Sequence, residues 1–261
     1  MVEDLKSIQL VIAGASVRAA AQAAQAANLR LALAADLFGD VDLLSCVPEY
    51  AHLKPGYRNL ADVLQSRKIG ERPGACWLYT GALENHPHVV SAVPIRLLGN
   101  SAATLTQVRD PWRLATCLSQ ADLPIAKLSR TPNGRNLALP WLRKPFKSAA
   151  GLGVERVPDR SSDAVEPDAA ETHYYQEWIA GRSFGALYIA AGGECALVGV
   201  AEQLIGPQFG APGQFQYAGS IGPVPLTTAE RWQWQRIGQC LVKDFGLTGL
   251  FGVDAVLSEG R

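Results

Sequence analysis

WLRKPFKSAAGLGVERV, residues 141–157, is the stretch on which the interpretation of the second half of the chain depends. Its first residues predict a strand over 141–146 that carries Lys144 near its end. A loop of small residues follows at 148–153, and a second strand begins at Val154. Small residues let backbone N–H groups approach phosphate oxygens closely, and a lysine beside them adds a positive charge. The stretch therefore predicts either a phosphate-binding hairpin or an ordinary hairpin with a glycine-rich turn.

Two better-known nucleotide motifs match the chain poorly. In the P-loop the lysine follows the glycine-rich loop and a helix opens next, whereas here Lys144 precedes the loop. The strand–turn–helix sequence GASVR at residues 14–18 contains only one glycine of the dinucleotide fingerprint, so NAD binding has little support. A carboxylate at the N-terminus of that helix is the better hypothesis for the turn, because free N–H groups favour anions.

A second window, YYQEWIAGRS at residues 174–183, predicts a strand that ends before a glycine turn. The edge of such a strand offers backbone groups to an adenine ring, and an apolar side chain can pack on the face of that ring. Glu177, taken alone, is equally compatible with a solvent-facing strand residue.

A third window, GLTGLFGVDAVLSEGR at residues 246–261, places Asp254 inside an otherwise apolar strand. A carboxylate there is costly to bury unless it is paired or bound to a cation. Asp254 is therefore either a magnesium ligand or a half-exposed or salt-bridged aspartate.

The first third of the chain alternates short apolar runs with helical patterns. Predicted strands lie at residues 8–13, 31–35, 43–45, 77–79 and 95–98, and predicted helices at 17–28, capped by Ser16, and at 57–67. Alternation of this kind is typical of a parallel sheet covered by helices.

From residue 101 onward two helical stretches are followed by strands. The stretches break at Asp110-Pro111, where Asp110 suits an N-cap and Pro111 the first helical turn. Polar residues 158–171 are expected to form a surface loop. Further predicted elements are strands at 174–179, 184–190, 195–201 and 250–257, a hairpin at Gly192-Gly193 and a long helix at 227–245 followed by Gly246.

Composition restricts the class of protein. The 261 residues are 48% hydrophobic, enough for a sizeable core, and their 24 basic and 24 acidic side chains give no electrostatic reason to expect nucleic acid or an anionic membrane as a partner. No signal peptide and no apolar run of about 18 residues is visible, so a cytoplasmic location is expected. Five scattered cysteines argue against a disulfide framework and against a structural zinc site.

In this order and at these separations, the three windows resemble the ATP-grasp superfamily, which includes biotin carboxylase, D-alanine–D-alanine ligase and glycinamide ribonucleotide synthetase. The windows YTGALENHP, VRDPWRL and GVAEQLIGPQFGAPGQFQYAGSIGP are most similar to predicted ATP-dependent carboligases related to biotin carboxylase. The resemblance covers essentially the whole chain and implies an α/β and α+β fold. The implied domains are a Rossmann-like domain at 1–105, an ATP-grasp small subdomain with the phosphate loop at 106–172 and an ATP-grasp C-terminal subdomain at 173–261.

The resemblance also implies where ATP is held, between two antiparallel sheets. Family members use a lysine and a mobile loop for the phosphates, a linker strand for adenine and ribose, and acids for magnesium. The matching positions are Lys144 for the phosphates; Ser148, Ala149, Gly151 and Gly153 for the loop; Gln176, Glu177, Trp178 and Ile179 for the linker strand; and Asp254 for Mg²⁺.

The implied activity is that of a carboxylate–amine ligase. A carboxylate attacks the γ-phosphate of MgATP to form an acyl phosphate, and an amine then displaces phosphate. The implied partners are small-molecule carboxylate and amine substrates, and the assembly, with a homodimer as one alternative, is left open. Lys144, Arg113 and Glu202 are the candidate catalytic residues, Glu202 because relatives line the acceptor pocket in its region, although a surface role at a strand edge fits it equally well.

Three departures from the family pattern weaken this expectation. Pro111 stands where a second phosphate lysine is common, which leaves Arg109 or Arg113 as the substitute. Ser183 stands where several relatives bind ribose through an acid. The sequence reaches Arg261 before the strand that supplies a Glu and an Asn to the magnesium site, so we expect a poor metal site unless the remainder is contributed from elsewhere. The alternatives are an ATP-binding or regulatory relative without catalysis and, from residues 8–36 alone, a Rossmann-type oxidoreductase.

Overall fold

The computed structural model describes residues 7–131, 138–157 and 172–258. The chain forms two compact units, Met1–Thr106 and Gln107–Arg261. The surface loop expected at 158–171 lies outside the described residues. None of the described helices combines the length and the apolar composition that a bilayer crossing requires.

The first unit contains a five-stranded sheet, sheet A, in the order β3-β2-β1-β4-β5. Every pairing in it is parallel, which confirms the sequence prediction. Its strands are β1 (Gln9–Gly14), β2 (Leu31–Asp36), β3 (Tyr50–His52), β4 (Ala75–Tyr79) and β5 (Arg96–Leu97). Its helices are α1 (Arg18–Ala26), α2 (Leu43–Cys46), α3 (Leu60–Ser66), α4 (Pro87–Ala92) and α5 (Ala102–Val108), the last of which runs into the second unit.

The central strands of sheet A are covered on both faces, which explains their unbroken apolar sequences. Val11, Ile12 and Leu33 have no exposed surface. Val11 belongs to a core cluster with Trp77, whereas its neighbour Ile12 belongs to a second cluster with Leu43. Strands that are apolar at every position are typical of parallel sheets buried between two layers.

Two local predictions for this unit were wrong. Residues 43–45 begin a helix rather than a strand, and the third strand is Tyr50–His52. A three-residue apolar run has no periodicity that distinguishes the two. Ser16 does not cap α1, because its hydroxyl donates instead to Oδ2 of Asp40 at 3.0 Å.

The second unit contains two antiparallel four-stranded sheets, sheet B and sheet C. The parallel sheet A together with these two sheets confirms the α/β and α+β fold class. Sheet B has the order β6-β9-β7-β8, with β6 (Leu128–Ser129), β7 (Trp141–Pro145), β8 (Glu155–Val157) and β9 (His173–Glu177). Sheet C has the order β12-β11-β10-β13, with β10 (Arg182–Ala191), β11 (Glu194–Ile205), β12 (Tyr217–Ile221) and β13 (Gly249–Leu257).

Helix α6 (Pro111–Gln120) begins where the sequence predicted. The carboxylate of Asp110 accepts hydrogen bonds from the backbone N–H groups of Trp112 and Arg113 at 2.9 and 3.2 Å. Proline suits the next position because the N–H that it lacks would have no partner within the helix. The cap therefore sets the point at which the chain turns from Arg109 into the helix.

Two local sequence motifs mark the start and the end of helix α7 (Thr228–Phe245). At its start Thr227 and Glu230 form a capping box, in which each side chain accepts a hydrogen bond from the other residue's backbone N–H. At its end Gly246 adopts a left-handed conformation with φ 64°, which glycine reaches without a steric cost.

Helix α7 packs on one face of sheet C, and Tyr188 of β10 lies at the contact. The Tyr188 ring has no exposed surface, stacks on Phe251 with 4.9 Å between centroids, and donates its hydroxyl to the carbonyl of Trp234 at 2.8 Å. Gly238 lies directly against this ring, since a Cβ atom there would be 2.4 Å from Cε1 of Tyr188. The close approach of helix and sheet therefore depends on a residue without a side chain at 238.

Replacing Gly238 with alanine is expected to destabilise the protein. Alanine is favoured over glycine in a helix by about 1 kcal/mol. Against this, overpacking of a fixed core typically costs about 1–3 kcal/mol, and the stacked, hydrogen-bonded Tyr188 ring has little freedom to move. We expect the free energy of unfolding, measured by urea denaturation, to fall by roughly 1–2 kcal/mol.

Gln233→Ala is the matched control on the same helix. Gln233 is exposed, and its side chain makes no hydrogen bond with the described part of the chain. Its replacement should change the free energy of unfolding by less than about 0.5 kcal/mol. If Gly238→Ala were as stable as the wild type or more stable, the helix and the sheet would be able to move apart at this contact at little cost.

Candidate functional site

Lys144 lies near the end of β7 on a face of sheet B that also carries Tyr174 and Gln176. The register pairs Lys144 with Tyr174 and Leu142 with Gln176. The Nζ atom of Lys144 donates a hydrogen bond to Oε1 of Gln176 at 3.1 Å. Burial lowers the pKa of Lys144, and the negative charge of Asp254 on sheet C acts in the opposite direction. The candidate phosphate ligand and the candidate metal ligand thus lie within electrostatic reach of each other.

The small-residue loop after β7, residues 146–153, contains three residues with positive φ within four positions. These are Ala150 at 53°, Gly151 at 74° and Gly153 at 73°. The hydroxyl of Ser148 donates to the carbonyl of Leu152 at 2.5 Å and closes the loop on itself. Ser148 therefore helps to shape the loop as well as lying within it.

Several backbone N–H groups of this loop are available to a ligand. Among the residues that the structure describes, those of Ala149, Gly151 and Gly153 have no hydrogen-bond acceptor. Unpaired N–H groups that follow one another in a turn form concave sites for anions. The loop next to Lys144 is therefore chemically suited to phosphate oxygens.

A main-chain contact holds the loop against the segment that leads into β12. The N–H of Tyr217 donates to the carbonyl of Ala150 at 3.1 Å. Beside this bond, a Cβ atom at Gly151 would be 1.9 Å from the carbonyl oxygen of Phe215. This loop contact brings the small-residue loop of sheet B to the edge of sheet C.

Strand β9 ends at Glu177, earlier than the predicted end at residue 179, so Trp178 and Ile179 lie beyond the strand. Glu177 is held in place by Lys127. The N–H of Lys127 donates to Oε2 of Glu177 at 3.2 Å, and the N–H of Glu177 donates to the Lys127 carbonyl at 2.8 Å. The Glu177 carboxylate is therefore fixed by backbone contacts rather than free in solvent.

Trp178 continues the chain along the same edge of sheet B. Its N–H donates to the carbonyl of Pro140 at 2.9 Å, and the guanidinium carbon of Arg156 lies 4.5 Å from its ring centroid. Trp178 and Ile179 are both half-buried. The two apolar side chains thus lie at the end of the strand that carries Gln176.

Asp254 is exposed on β13, on the face of sheet C opposite to α7. Its Oδ1 atom accepts a hydrogen bond from Nε2 of Gln203 at 2.7 Å, so an amide and not a cation is its partner. Gly185 lies beneath this bond, because a Cβ atom there would be 3.1 Å from Nε2 of Gln203 and 3.6 Å from Oδ1 of Asp254. Gln203, which sequence reasoning passed over, orients the carboxylate.

Glu202 is not brought to this face of sheet C. The register pairs it with Phe184, which is buried against α7, whereas Asp254 pairs with Gly185 on the other face. Its carboxylate forms a two-fold ion pair with the guanidinium group of Arg182, in which the Nε–Oε1 distance is 2.8 Å. The hydrogen bonds from Arg182 lower the pKa of Glu202. The candidate acceptor-site acid is therefore separated from Asp254 by the sheet.

Of the two arginines considered as a second phosphate ligand, Arg109 is the one at the loop. Its Nη2 atom donates to the carbonyl of Ser148 at 3.3 Å, and its charge acts on Tyr174. Arg113 is exposed one turn along α6. The cap at Asp110 accounts for the difference, because it directs Arg109 and not Arg113 towards sheet B.

The N-terminus of α1, for which the sequence suggested a carboxylate ligand, already has an anion that the chain itself supplies. Asp36 has no exposed surface, and its Oδ2 accepts the N–H of Val17 at 3.2 Å. Its Oδ1 accepts the N–H of Gly39 and the hydroxyl of Tyr50, both at 3.0 Å. Burial and the neighbouring Asp36 raise the pKa of Tyr50 to about 12. A second anion would be repelled by this carboxylate, and the buried Asp36 presents no exposed surface to a ribose hydroxyl.

Comparison with known proteins agrees with the geometry of the second unit. A family model described as an ATP-grasp domain matches residues 108–261. The chain belongs to the ATP-grasp family. No protein among the curated sequences matches it.

Solved ATP-grasp-like structures share the fold over nearly the whole chain. The ADP complex of N5-carboxyaminoimidazole ribonucleotide synthetase (PurK) aligns with a TM-score of 0.70 and 16% identity, over 97% of this chain and 67% of that one. Campylobacter jejuni biotin carboxylase in its beta-gamma-ATP complex aligns with a TM-score of 0.67 and 14% identity, over 95% of this chain and 62% of that one. Bacillus licheniformis L-amino acid ligase aligns with a TM-score of 0.68 and 18% identity, over 97% of this chain and 64% of that one. The chain thus spans about two thirds of these proteins, and at such identities the likeness is one of fold.

The lowered pKa of Lys144 predicts a pH-dependent contribution to stability. Between its folded pKa and the ordinary value of 10.5, the unfolded chain binds more protons at this residue than the folded chain does. The free energy of unfolding should therefore rise with pH through this window. In Lys144→Met, which keeps the length of the side chain but cannot ionise, the rise between pH 7 and pH 10 should be smaller than in the wild type.

The measurement is the difference between the two proteins at each pH, so that other titrating groups cancel. Lys243→Met, at an exposed position of α7, should follow the wild-type profile. Parallel profiles for wild type and Lys144→Met would mean that burial does not depress this amine.

Proposed function

We propose that the second unit binds MgATP and that the protein is an ATP-dependent ligase that activates a carboxylate as an acyl phosphate and transfers it to an amine. The observation that carries the proposal is the set of phosphate-binding groups around Lys144. Its amine lies within electrostatic reach of the Asp254 carboxylate on sheet C, and the loop that follows it along the chain carries unpaired N–H groups. The relatives named ligase or carboxylase support the same reading.

In this proposal Lys144 and the loop bind the phosphates. A half-buried ammonium has lost part of its hydration, so contact with a phosphate oxygen restores what burial removed. The N–H groups of Ala149, Gly151 and Gly153 donate to further oxygens, and Ser148 holds the loop in shape. Arg109 supplies a second positive charge beside the loop, and Arg113 remains the alternative that the sequence suggested.

Adenine and ribose are assigned to the segment after β9. Trp178 and Ile179 offer apolar surface and backbone groups, and Gln176 and Glu177 offer polar acceptors. Gln176 would exchange its hydrogen bond with Lys144 for one that includes the nucleotide. The small subdomain at 106–172 and the C-terminal subdomain at 173–261 would then each supply one wall of the site.

Asp254 fits Mg²⁺ as a single ligand. Gln203 occupies one of its oxygens, and no group of three or more His, Cys, Asp or Glu side chains that could hold a metal occurs among the described residues. Magnesium is commonly held by one or two carboxylates together with substrate phosphates and water, which agrees with one acid here. When bound, the ion neutralises charge on the transferring phosphoryl group.

The proposed reaction has two steps. A carboxylate oxygen attacks the γ-phosphorus, the bond to the β–γ bridging oxygen breaks, and ADP leaves. An amine nitrogen then attacks the acyl carbon, and inorganic phosphate leaves with the electron pair of the C–O bond. Catalysis of this kind depends on positioning and on charge neutralisation by Lys144 and Arg109 rather than on a general base. Glu202 has no role in this scheme, because it lies on the α7 face of sheet C in its ion pair with Arg182.

One observation favours a second candidate, an ATP-binding relative that does not turn over. Among the described residues Asp254 belongs to no group of three or more His, Cys, Asp or Glu side chains that could hold a metal. Phosphate release with panels of carboxylates and amines distinguishes an enzyme from a binder, whereas nucleotide binding is common to both. An oxidoreductase is disfavoured, since Asp36 is buried and hydrogen-bonded within its own unit.

Lys144→Ala is expected to weaken ATP binding by about 10- to 100-fold, the usual value of a hydrogen bond to a charged group. The fold should persist, because Lys144 lies near a strand end and is only half-buried. Isothermal titration with ATP measures the affinity, and circular dichroism checks the fold. Lys243→Ala removes the same charge from the exposed side of α7 and should bind ATP as the wild type does. Equal affinity of Lys144→Ala and wild type would refute the site.

Asp254→Asn is expected to remove the gain in affinity that Mg²⁺ gives to ATP. The asparagine keeps the size of the side chain and can still accept from Gln203, but it lacks the charge that attracts a cation. Thermal shifts with ATP, in the presence of Mg²⁺ or of a chelator, measure the effect by mass action. A full magnesium-dependent shift in the variant would place the metal elsewhere.

A further inference from the structure

Helices α6 and α7 bring two cysteines into contact, although 123 positions separate them in the sequence. The Sγ atoms of Cys117 and Cys240 lie 3.2 Å apart. Each sulfur also lies near the other residue's backbone carbonyl, at 4.0 Å for Cys117 and 3.7 Å for Cys240. All five cysteines of the chain are free thiols in the structure.

The separation of the two sulfurs is close to that of a covalent pair. A disulfide bond measures about 2.04 Å, so the sulfurs need to approach by only about 1.2 Å. Side-chain rotation and a small shift of the helices can supply such a distance.

The environment makes the two thiols unequal. Cys117 is 5% exposed and lies in the apolar cluster formed by Leu118, Leu241 and Val242, whereas Cys240 is half-buried at the margin of that cluster. Burial, together with the neighbouring Cys240, raises the pKa of Cys117. Cys240 is therefore the sulfur that an oxidant reaches first.

We propose that Cys117 and Cys240 form a reversible disulfide under oxidation and that this bond staples α6 to α7. With a peroxide as oxidant, the Cys240 thiol is oxidised to a sulfenic acid and one water leaves. The Cys117 sulfur then attacks the sulfenic sulfur, a second water leaves, and the S–S bond forms. Two thiols lose two electrons in total, and the two oxygens of the peroxide accept them. A thiol reductant reverses the change.

The staple acts on the element that connects the two sheets. At its first turn α6 places Trp112 against Phe146 and Tyr174 of the sheet B region, with ring centroids 5.6 and 6.0 Å apart. Near the other end of α6, Cys117 packs against α7, the helix that supports sheet C. A covalent bond at this position therefore restricts any change in the spacing of sheets B and C. The proposal does not depend on which ligand the sheets bind.

Peptide mapping of the full chain tests the proposal. The protein is treated with hydrogen peroxide, or in a second arm with glutathione disulfide, then alkylated and digested with trypsin. The expected product joins peptides 114–127 and 237–243, with a mass two hydrogens below their sum, and it disappears after dithiothreitol. The melting temperature of the oxidised protein should exceed that of the reduced protein by roughly 5–10 °C, because the bond closes a long loop of the unfolded chain.

Single serine variants provide the controls. Cys240→Ser should give neither the joined peptide nor the temperature shift, and Cys46→Ser, in the first unit, should give both. Recovery of peptides 114–127 and 237–243 only as separate alkylated or over-oxidised species, from protein that circular dichroism shows to be folded, would overturn the proposal. So would a joined peptide that links either residue to another cysteine. The mapping uses wild-type protein and does not require that any variant folds.

Discussion

A half-buried ammonium group between two antiparallel sheets is the constraint around which the second unit is arranged. Burial removes hydration from Lys144 and lowers its pKa, and the protein compensates in part with the amide oxygen of Gln176 and the field of Asp254. Neither interaction equals a direct ion pair. The positive charge of Lys144 is therefore only partly compensated, and a negatively charged ligand would stabilise it further. A lysine whose only role is to link two strands would instead be paired directly with a carboxylate.

Helix α6 contacts both the sheet B side of the proposed site and the helix that supports sheet C. Its cap at Asp110 fixes the direction in which Arg109 and Trp112 leave the chain, and these residues contact the phosphate loop and the aromatic cluster of sheet B. Its later turns pack on α7, which in turn lies under sheet C. One short helix thus couples the two walls of the proposed site, and the register of its first turn decides which arginine reaches the loop.

The sequence allowed prediction of those features that a few neighbouring residues determine. The Asp110-Pro111 helix start, the extent of α7 with Gly246 after it, the Gly192-Gly193 hairpin and most strands were predicted correctly because local rules govern them. Features that depend on distant partners were not. The side of sheet C that Glu202 occupies depends on strand pairing with a register shift at Leu187/Tyr188, and the partners of Asp36 come from three separate segments. The contact of Cys117 with Cys240 follows only from the packing of two helices.

The loop contact is made by main-chain atoms on both sides, from Tyr217 to Ala150. A hydrogen bond of this kind is indifferent to the identity of the side chains at its two ends. Substitutions at 217 other than proline, which has no N–H to donate, would therefore leave the loop contact in place. Position 151 is the exception, since the Phe215 carbonyl leaves no room there for even a methyl group.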